Sequence, residues 1–183
     1  MSTERKSVYK RGADDGFYFG VYLVVLFFAS VFAMTLPFAG LLTMILMLGV
    51  PFVIYRFLRR TYVADNGMTQ YSALWLQGII IFFCGSLLSG LVAYVYMRWV
   101  NPDFIMSIVK DAIGIYSSSN WENGQEVADV LQKMIDQKLV PKPIEVVIQS
   151  IWTAVFTGSL LSMLVALVVQ SKKIKPTEIT KKQ

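Results

Sequence analysis

A run of 39 consecutive residues without a charged side chain, from Phe17 to Tyr55, constrains this chain more than any other feature. Two further uncharged runs follow, 32 residues from Asn66 to Met97 and 26 residues from Val146 to Ser171. Apolar runs longer than about 18 residues are typical of membrane-spanning helices. Only 16% of the residues are charged and 55% are hydrophobic, so the sequence excludes an ordinary soluble globular domain.

The first run is too long for one membrane span. As a single helix it would extend about 58 Å, whereas the hydrocarbon core of a bilayer is about 30 Å thick. Pro37 lies near its middle, and a proline disfavours helical geometry in the residue before it, here Leu36. The sequence therefore predicts two helices joined by a tight hairpin, at about 16–35 and 38–58, with Pro51 as a kink inside the second helix.

Two more spans are predicted at about 71–97 and 146–170, which makes the chain an all-α, polytopic membrane protein with four transmembrane helices in one membrane domain. Four spans place both termini on the same side. Twelve of the 17 basic residues fall on that side and five on the other, so the positive-inside rule predicts that both termini, with the tail 171–183, are cytoplasmic. This solvated face explains the net charge of +5, and no nucleic-acid partner is expected.

The segment 98–145 is the one sizeable polar region, and the topology predicts that it is extracytoplasmic. The sequence Asn-Pro-Asp that begins at Asn101 is typical of a helix start. Asn123 with Glu126 three residues later is typical of a second helix start. Both predicted helices are amphipathic, so they can cap the bundle as a hairpin, lie on the membrane surface or recognise a ligand or partner.

Groups that carry catalysis or bind metals are scarce. The chain has no histidine, which excludes histidine triads and histidine metal sites, and its single cysteine, Cys84, excludes an internal disulfide. The four predicted spans contain no Asp, Glu, Lys or His, the groups that usually mark catalysis or ion pathways inside a membrane. We therefore expect no catalytic, cofactor-binding or metal-binding residue, and no enzyme activity.

Gln77 stands out among the polar residues inside the spans, because a primary amide in a low-dielectric medium needs hydrogen-bond partners. We interpret Gln77 as a buried polar contact between helices. A contact with a substrate is the alternative.

Small residues at four-residue spacing predict the helix-packing surfaces, because they let helix backbones approach closely in lipid. Whether these residues join helices of one chain or of two copies is open from the sequence. The candidate packing residues are Ala154, Gly158, Ser162 and Ala166 in the fourth span, with Gly85 and Ser89 in the third.

Two hypotheses of function follow from these features. The first is a non-catalytic accessory or scaffold subunit of a cell-envelope complex, which contacts the lipid bilayer and a membrane-protein partner or a second copy of itself. The alternative is an oligomeric transporter or channel for small solutes or lipids. That alternative needs a polar cavity lined by residues such as Gln77, Ser86, Thr153 or Thr157.

Short motifs follow one another along the chain: Gly12-Ala13 and Gly16, Leu36-Pro37, Pro51 before Tyr55-Arg56, Arg59-Arg60, Asn66-Gly67-Met68-Thr69, Ala73 and Gly78, Tyr94 and Tyr96, and Asn101-Pro102-Asp103-Phe104. In these motifs the chain resembles a known family of membrane proteins, which is catalogued as domain of unknown function 4199 and found mostly in Bacteroidota. The resemblance covers about residues 8–170 and implies the four-helix topology, a bacterial inner-membrane address and no assigned activity. Members are often encoded near membrane glycosyltransferases, which implies an accessory role in the envelope.

Overall fold

The computed structural model describes residues 7–33, 36–118 and 123–172. Within these ranges the protein is helical and has no β-strand. The predicted cytoplasmic residues Arg5 and Lys6 and the tail residues 173–183 lie outside the described ranges. The helices are α1 (Val8–Ala33), α2 (Pro37–Ala64), α3 (Tyr71–Val95), α4 (Phe104–Ser118), α5 (Gly124–Asp136) and α6 (Pro143–Ser171), with a short π-helix (Tyr96–Val100) directly after α3.

Four of these helices are long and apolar enough to cross a membrane: α1, α2, α3 with its π-helix, and α6. The predicted all-α class with four spans is thereby confirmed. The helices extend past the predicted spans, because an uncharged run marks the crossing of the hydrocarbon and not the helix end. Thus α1 begins at Val8 and carries Lys10, Arg11 and Asp15 in its first turns.

In the first hairpin, α1 ends at Ala33 and α2 begins at Pro37. Leu36 has an extended backbone, with φ −123° and ψ 117°, the conformation that a following proline favours. Pro37 then opens α2 at a position where its missing N–H group costs no hydrogen bond. α1 and α2 pack on each other, and the Tyr22 hydroxyl of α1 donates a hydrogen bond to the Leu46 carbonyl of α2. α2 continues through Pro51, as the sequence predicts.

The chain divides into two compact units. The first comprises Met1–Gly90 and Ser150–Gln183, and thus α1, α2 and most of α3 and α6. The second is Leu91–Gln149, in which α4 and α5 pack on each other.

The helix starts in the second unit differ from the sequence pattern. α4 begins at Phe104 and not at Asn101, because the π-helix uses Asn101 as its end: the Asn101 amide donates to the Tyr96 carbonyl at 2.9 Å. α5 begins directly after Asn123, as predicted, but the Asn123 side chain makes no capping hydrogen bond.

Glycines on α1 let the backbones of α1 and α3 approach closely. Three buried glycines recur at four-residue spacing along α1. A Cβ atom added to any of them would lie 2.7–2.9 Å from a Cβ atom of α3, which is closer than real Cβ contacts. The pairs are Gly12 with Ile80, Gly16 with Cys84, and Gly20 with Leu88.

Aromatic rings occupy the space that other glycines leave. Phe19 of α1 is fully buried, and its ring centroid lies 4.9 Å from that of Phe82 on α3, edge to face. A Cβ atom on Gly85 would lie 2.7 Å from the Phe19 ring, and one on Gly158 of α6 would overlap the Phe82 ring. Aromatic rings of one helix therefore pack against glycines of the next. Such close packing matters in a membrane, because no hydrophobic effect draws helices together in lipid.

Replacing Gly158 with alanine tests this packing. The added methyl group would overlap the Phe82 ring, which cannot swing away because Phe19 packs against it. We expect Gly158→Ala to lower the free energy of unfolding by about 1–3 kcal/mol, measured by sodium dodecyl sulfate titration in mixed micelles. Gly40→Ala is the control, since no neighbouring atom lies within 4 Å of a Cβ there. Equal stability of the two variants would contradict the packing.

Candidate functional site

Three helices of the first unit meet at the side chain of Gln77. Its amide nitrogen Nε2 donates one hydrogen bond to Asp15 Oδ2 at 3.0 Å and one to Thr61 Oγ1 at 2.9 Å. Gln77 has no exposed surface, and Asp15 and Thr61 are only 3% and 6% exposed. Because α1, α2 and α3 contribute one residue each, these two hydrogen bonds join three helices.

The Asp15 carboxylate also faces a cation. The Arg60 guanidinium lies 3.8 Å from Asp15 Oδ1, with two-thirds of the Arg60 side chain in contact with solvent. A buried charge is costly unless it is paired and hydrogen-bonded. Gln77 donates a hydrogen bond to Asp15 from inside the bundle, and Arg60 provides the opposite charge from the rim of the bundle.

A second ion pair lies beside the first. The Arg11 guanidinium contacts Asp65 Oδ2 at 2.8 Å, and the Thr69 hydroxyl donates to the same oxygen at 2.8 Å. The two charged side chains are about one-fifth exposed, at 19% and 18%. This pair connects α1 to the residue that follows α2. The two ion pairs and the three polar residues hydrogen-bonded with them form what we call the polar cluster: Arg11, Asp15, Arg60, Thr61, Asp65, Thr69 and Gln77.

Two contacts attach α6 to this end of the unit. The Gln170 side chain donates from Nε2 to the Thr69 carbonyl at 3.1 Å. The Arg59 guanidinium donates to the carbonyl oxygens of Val169 at 3.3 Å and Lys172 at 2.7 Å, near the end of α6. Carbonyls at a helix C-terminus lack intrahelical partners, and a cation there is favourable. All four long helices are thus joined at one end.

An apolar layer closes the polar cluster on its membrane side. Phe19, Leu58 and Ile81 each lie about one helical turn from a cluster residue, on α1, α2 and α3. All three have no exposed surface. The polar side chains of the cluster are therefore separated from the middle of the spans by packed side chains.

Two buried polar atoms have no hydrogen-bond partner among the described residues, Gln77 Oε1 and Ser162 Oγ. Gln77 uses both of its N–H donors, so its unpaired atom is an acceptor. An unpaired buried polar atom costs about 1–3 kcal/mol. Among the described residues no group of three or more His, Cys, Asp or Glu side chains could hold a metal ion.

The structure brings some of the sequence-predicted residues together and separates others. Gln77 lies at the centre of the polar cluster, whereas Ser86 is buried elsewhere on α3 and donates to the Phe83 carbonyl of its own helix at 3.1 Å. Thr153 and Thr157 lie on an exposed side of α6. These four residues do not converge within one chain.

All six candidate packing residues belong to the first unit, and four of them are buried there. Ser162 is fully buried against Gly78 of α3, and Ala166 also has no exposed surface. Gly158 contacts α3 and Gly85 contacts α1 of the same chain. Ala154 and Ser89 are half-buried.

Sequence reasoning missed Asp15, although it is the acceptor of the Gln77 hydrogen bond. The basic residues that precede the uncharged run are predicted to lie on a solvated cytoplasmic face, and no partner is predicted for Asp15. The available signal is helical spacing: Asp15 lies three residues after Gly12 and four before Phe19, on the small-residue face of α1. An acid on a buried face predicts a partner on a neighbouring helix.

Replacing Asp15 with alanine tests whether the polar cluster stabilises the fold. The Gln77 amide would lose an acceptor while staying buried, so we expect Asp15→Ala to lower the free energy of unfolding by about 1–3 kcal/mol. Asp111→Ala removes the same charge from an exposed position on α4 and should change stability by less than about 0.5 kcal/mol. Thermal unfolding in detergent measures both. An equal loss in the two variants would show that only net charge matters.

Comparison with known proteins places the chain in a family. The family model described as "Protein of unknown function (DUF4199)" matches residues 14–171. No curated protein and no solved structure matches the chain. The matched range includes Asp15, Thr61 and Gln77, and it covers most of the sequence. The chain therefore belongs to the DUF4199 family, as its sequence motifs indicate.

Proposed function

We propose that this protein is a non-catalytic accessory or scaffold subunit of a cell-envelope complex in the inner membrane of a bacterium. The first half of α2 carries this proposal, because the described residues leave it almost uncovered. Apolar side chains at positions 38, 41, 42, 44, 45, 47 and 48 are between 49% and 85% exposed. At 3.6 residues per turn these positions cover an arc of about 220°.

The same half of α2 contains a small-residue site that nothing in the described chain fills. A Cβ atom at Gly40 would have no neighbour within 4 Å. Thr43, three residues later, bonds its hydroxyl to the Ala39 carbonyl at 2.8 Å and so keeps its polar atom against its own helix. Small residues of this kind let a second helix approach closely in lipid. The α2 surface 38–48 therefore suits a transmembrane helix of another protein.

The polar cluster supports the non-catalytic part of the proposal. Asp15 is bonded to Gln77 and faces Arg60, Arg11 is paired with Asp65, and Arg59 contacts carbonyls of α6. Each of these charges is engaged in a contact between segments of the chain. A buried ionic group with such contacts is best explained as a device that sets how helices assemble.

The alternative of an oligomeric transporter or channel finds less support. It requires a polar cavity lined by residues such as Gln77, Ser86, Thr153 or Thr157. Gln77 and Ser86 are buried, at 0% and 5% exposure, while Thr153 and Thr157 lie outside on α6.

Site-specific crosslinking in native membranes tests the accessory role. A benzoylphenylalanine at Met47, on the α2 surface 38–48, should give a discrete adduct with another protein. The same group at Phe156 of α6 is the matched control, because the two side chains are 69% and 70% exposed. We expect lipid adducts alone at Phe156. Lipid adducts alone at both positions, together with a lone monomer after purification in mild detergent, would contradict the proposal.

The proposed orientation is testable on its own. Twelve basic residues against five favour cytoplasmic termini and an extracytoplasmic segment 98–145. A reporter fused at Ser118 should therefore read as extracytoplasmic, and one fused at Gln183 as cytoplasmic. Alkaline phosphatase and green fluorescent protein fusions measure the two sides. The same reading from both fusions would contradict four spans with this orientation.

A further inference from the structure

An apolar groove runs between the second half of α2 and the end of α6, in the first unit. Its volume is about 360 Å³. Pro51, Phe52 and Tyr55 form the α2 wall, and Leu164 and Val168 form the α6 wall. From Leu164 to Lys172, which closes one end, the groove extends about 12 Å along α6.

Positive charge gathers at that end of the groove. The Lys172 ammonium lies 5.1 Å from the centroid of the Tyr55 ring, and Arg59 holds the Lys172 carbonyl by a hydrogen bond of 2.7 Å. Arg56 is exposed and follows the groove residue Phe52 by one helical turn, on the same face of α2. The groove thus has long apolar walls and a cationic mouth.

We propose that this groove binds an anionic phospholipid, with an acyl chain along the apolar walls and the phosphate at Lys172 and Arg56. The apolar walls suit the acyl chain of such a lipid, and the cationic mouth suits its phosphate. Lys and Arg at the end of a membrane helix lie at headgroup depth, where they attract anionic lipids. A zwitterionic lipid would bring its own cation next to Lys172 and lose part of this attraction.

The cationic mouth of the groove favours an anionic lipid over an apolar helix from another protein. An apolar helix could cover the walls, but it would bring no anionic group to Lys172 and Arg56. The groove also differs from the α2 surface 38–48 in its residues. The lipid site is therefore independent of the proposed accessory role.

Native mass spectrometry of the full-length protein in detergent tests the headgroup part of the site. Phosphatidylglycerol and phosphatidylcholine with identical acyl chains serve as probes. We expect tighter binding of phosphatidylglycerol, and a loss of about fivefold in that preference in Lys172→Gln, the value for one cation near a membrane surface. Lys110→Gln, an exposed lysine on α4, should leave the preference unchanged. Equal affinity of the two lipids for the wild-type protein would overturn the proposal.

Filling the groove tests the acyl-chain part. Leu164→Trp places a bulky ring in the groove and should reduce binding of both lipids. Leu160→Trp adds the same ring one turn away, at a similarly exposed position outside the groove, and should bind as the wild type does. Val168→Phe is a second groove variant in case Leu164→Trp does not fold, judged by size-exclusion elution. Equal effects inside and outside the groove, or a second copy of the chain crosslinked at Leu164, would overturn the proposal.

Discussion

The two hydrogen bonds of the Gln77 amide are the constraint on which the rest of the first unit depends. Gln77 is fully buried, so no water competes for its amide group, and the two acceptors that the amide contacts are not exchanged for solvent. Asp15 and Thr61 lie on different helices, which means that a shift of either helix by one turn would leave buried polar atoms unpaired. The amide therefore fixes the register of three helices relative to one another.

Close packing complements this polar contact. Dispersion forces between helices fall steeply with separation, and they replace the hydrophobic effect as the attraction between helices in lipid. At glycines on α1, α3 and α6, side chains of a neighbouring helix lie directly against the backbone. Phe19 and Phe82 are the largest of these side chains. The polar contact selects one arrangement, and the ring-against-glycine contacts make that arrangement tight.

Part of this architecture is readable from the sequence because its signals are local. An uncharged run of sufficient length predicts a span, and Pro37 predicts the hairpin through its effect on Leu36. The small residues around Gly158 and the amide of Gln77 are identifiable in the same way. Asp15 is harder to identify, because its partner lies 62 positions away in the chain and its one local signal is its place on the glycine face of α1. The start of α4 is not readable, since it depends on how far α3 continues as a π-helix.

The first hairpin also bears on how the protein enters the membrane. From Phe17 to Tyr55 the chain carries no charge, so the turn near Pro37 can cross the hydrocarbon without transferring an ionised group, each of which costs about 2.5–3.5 kcal/mol at the bilayer centre. α1 and α2 can therefore insert as a preformed pair from the side that holds Asp15 and Arg60. On this route the ion pairs of the polar cluster never leave the interface in which they form.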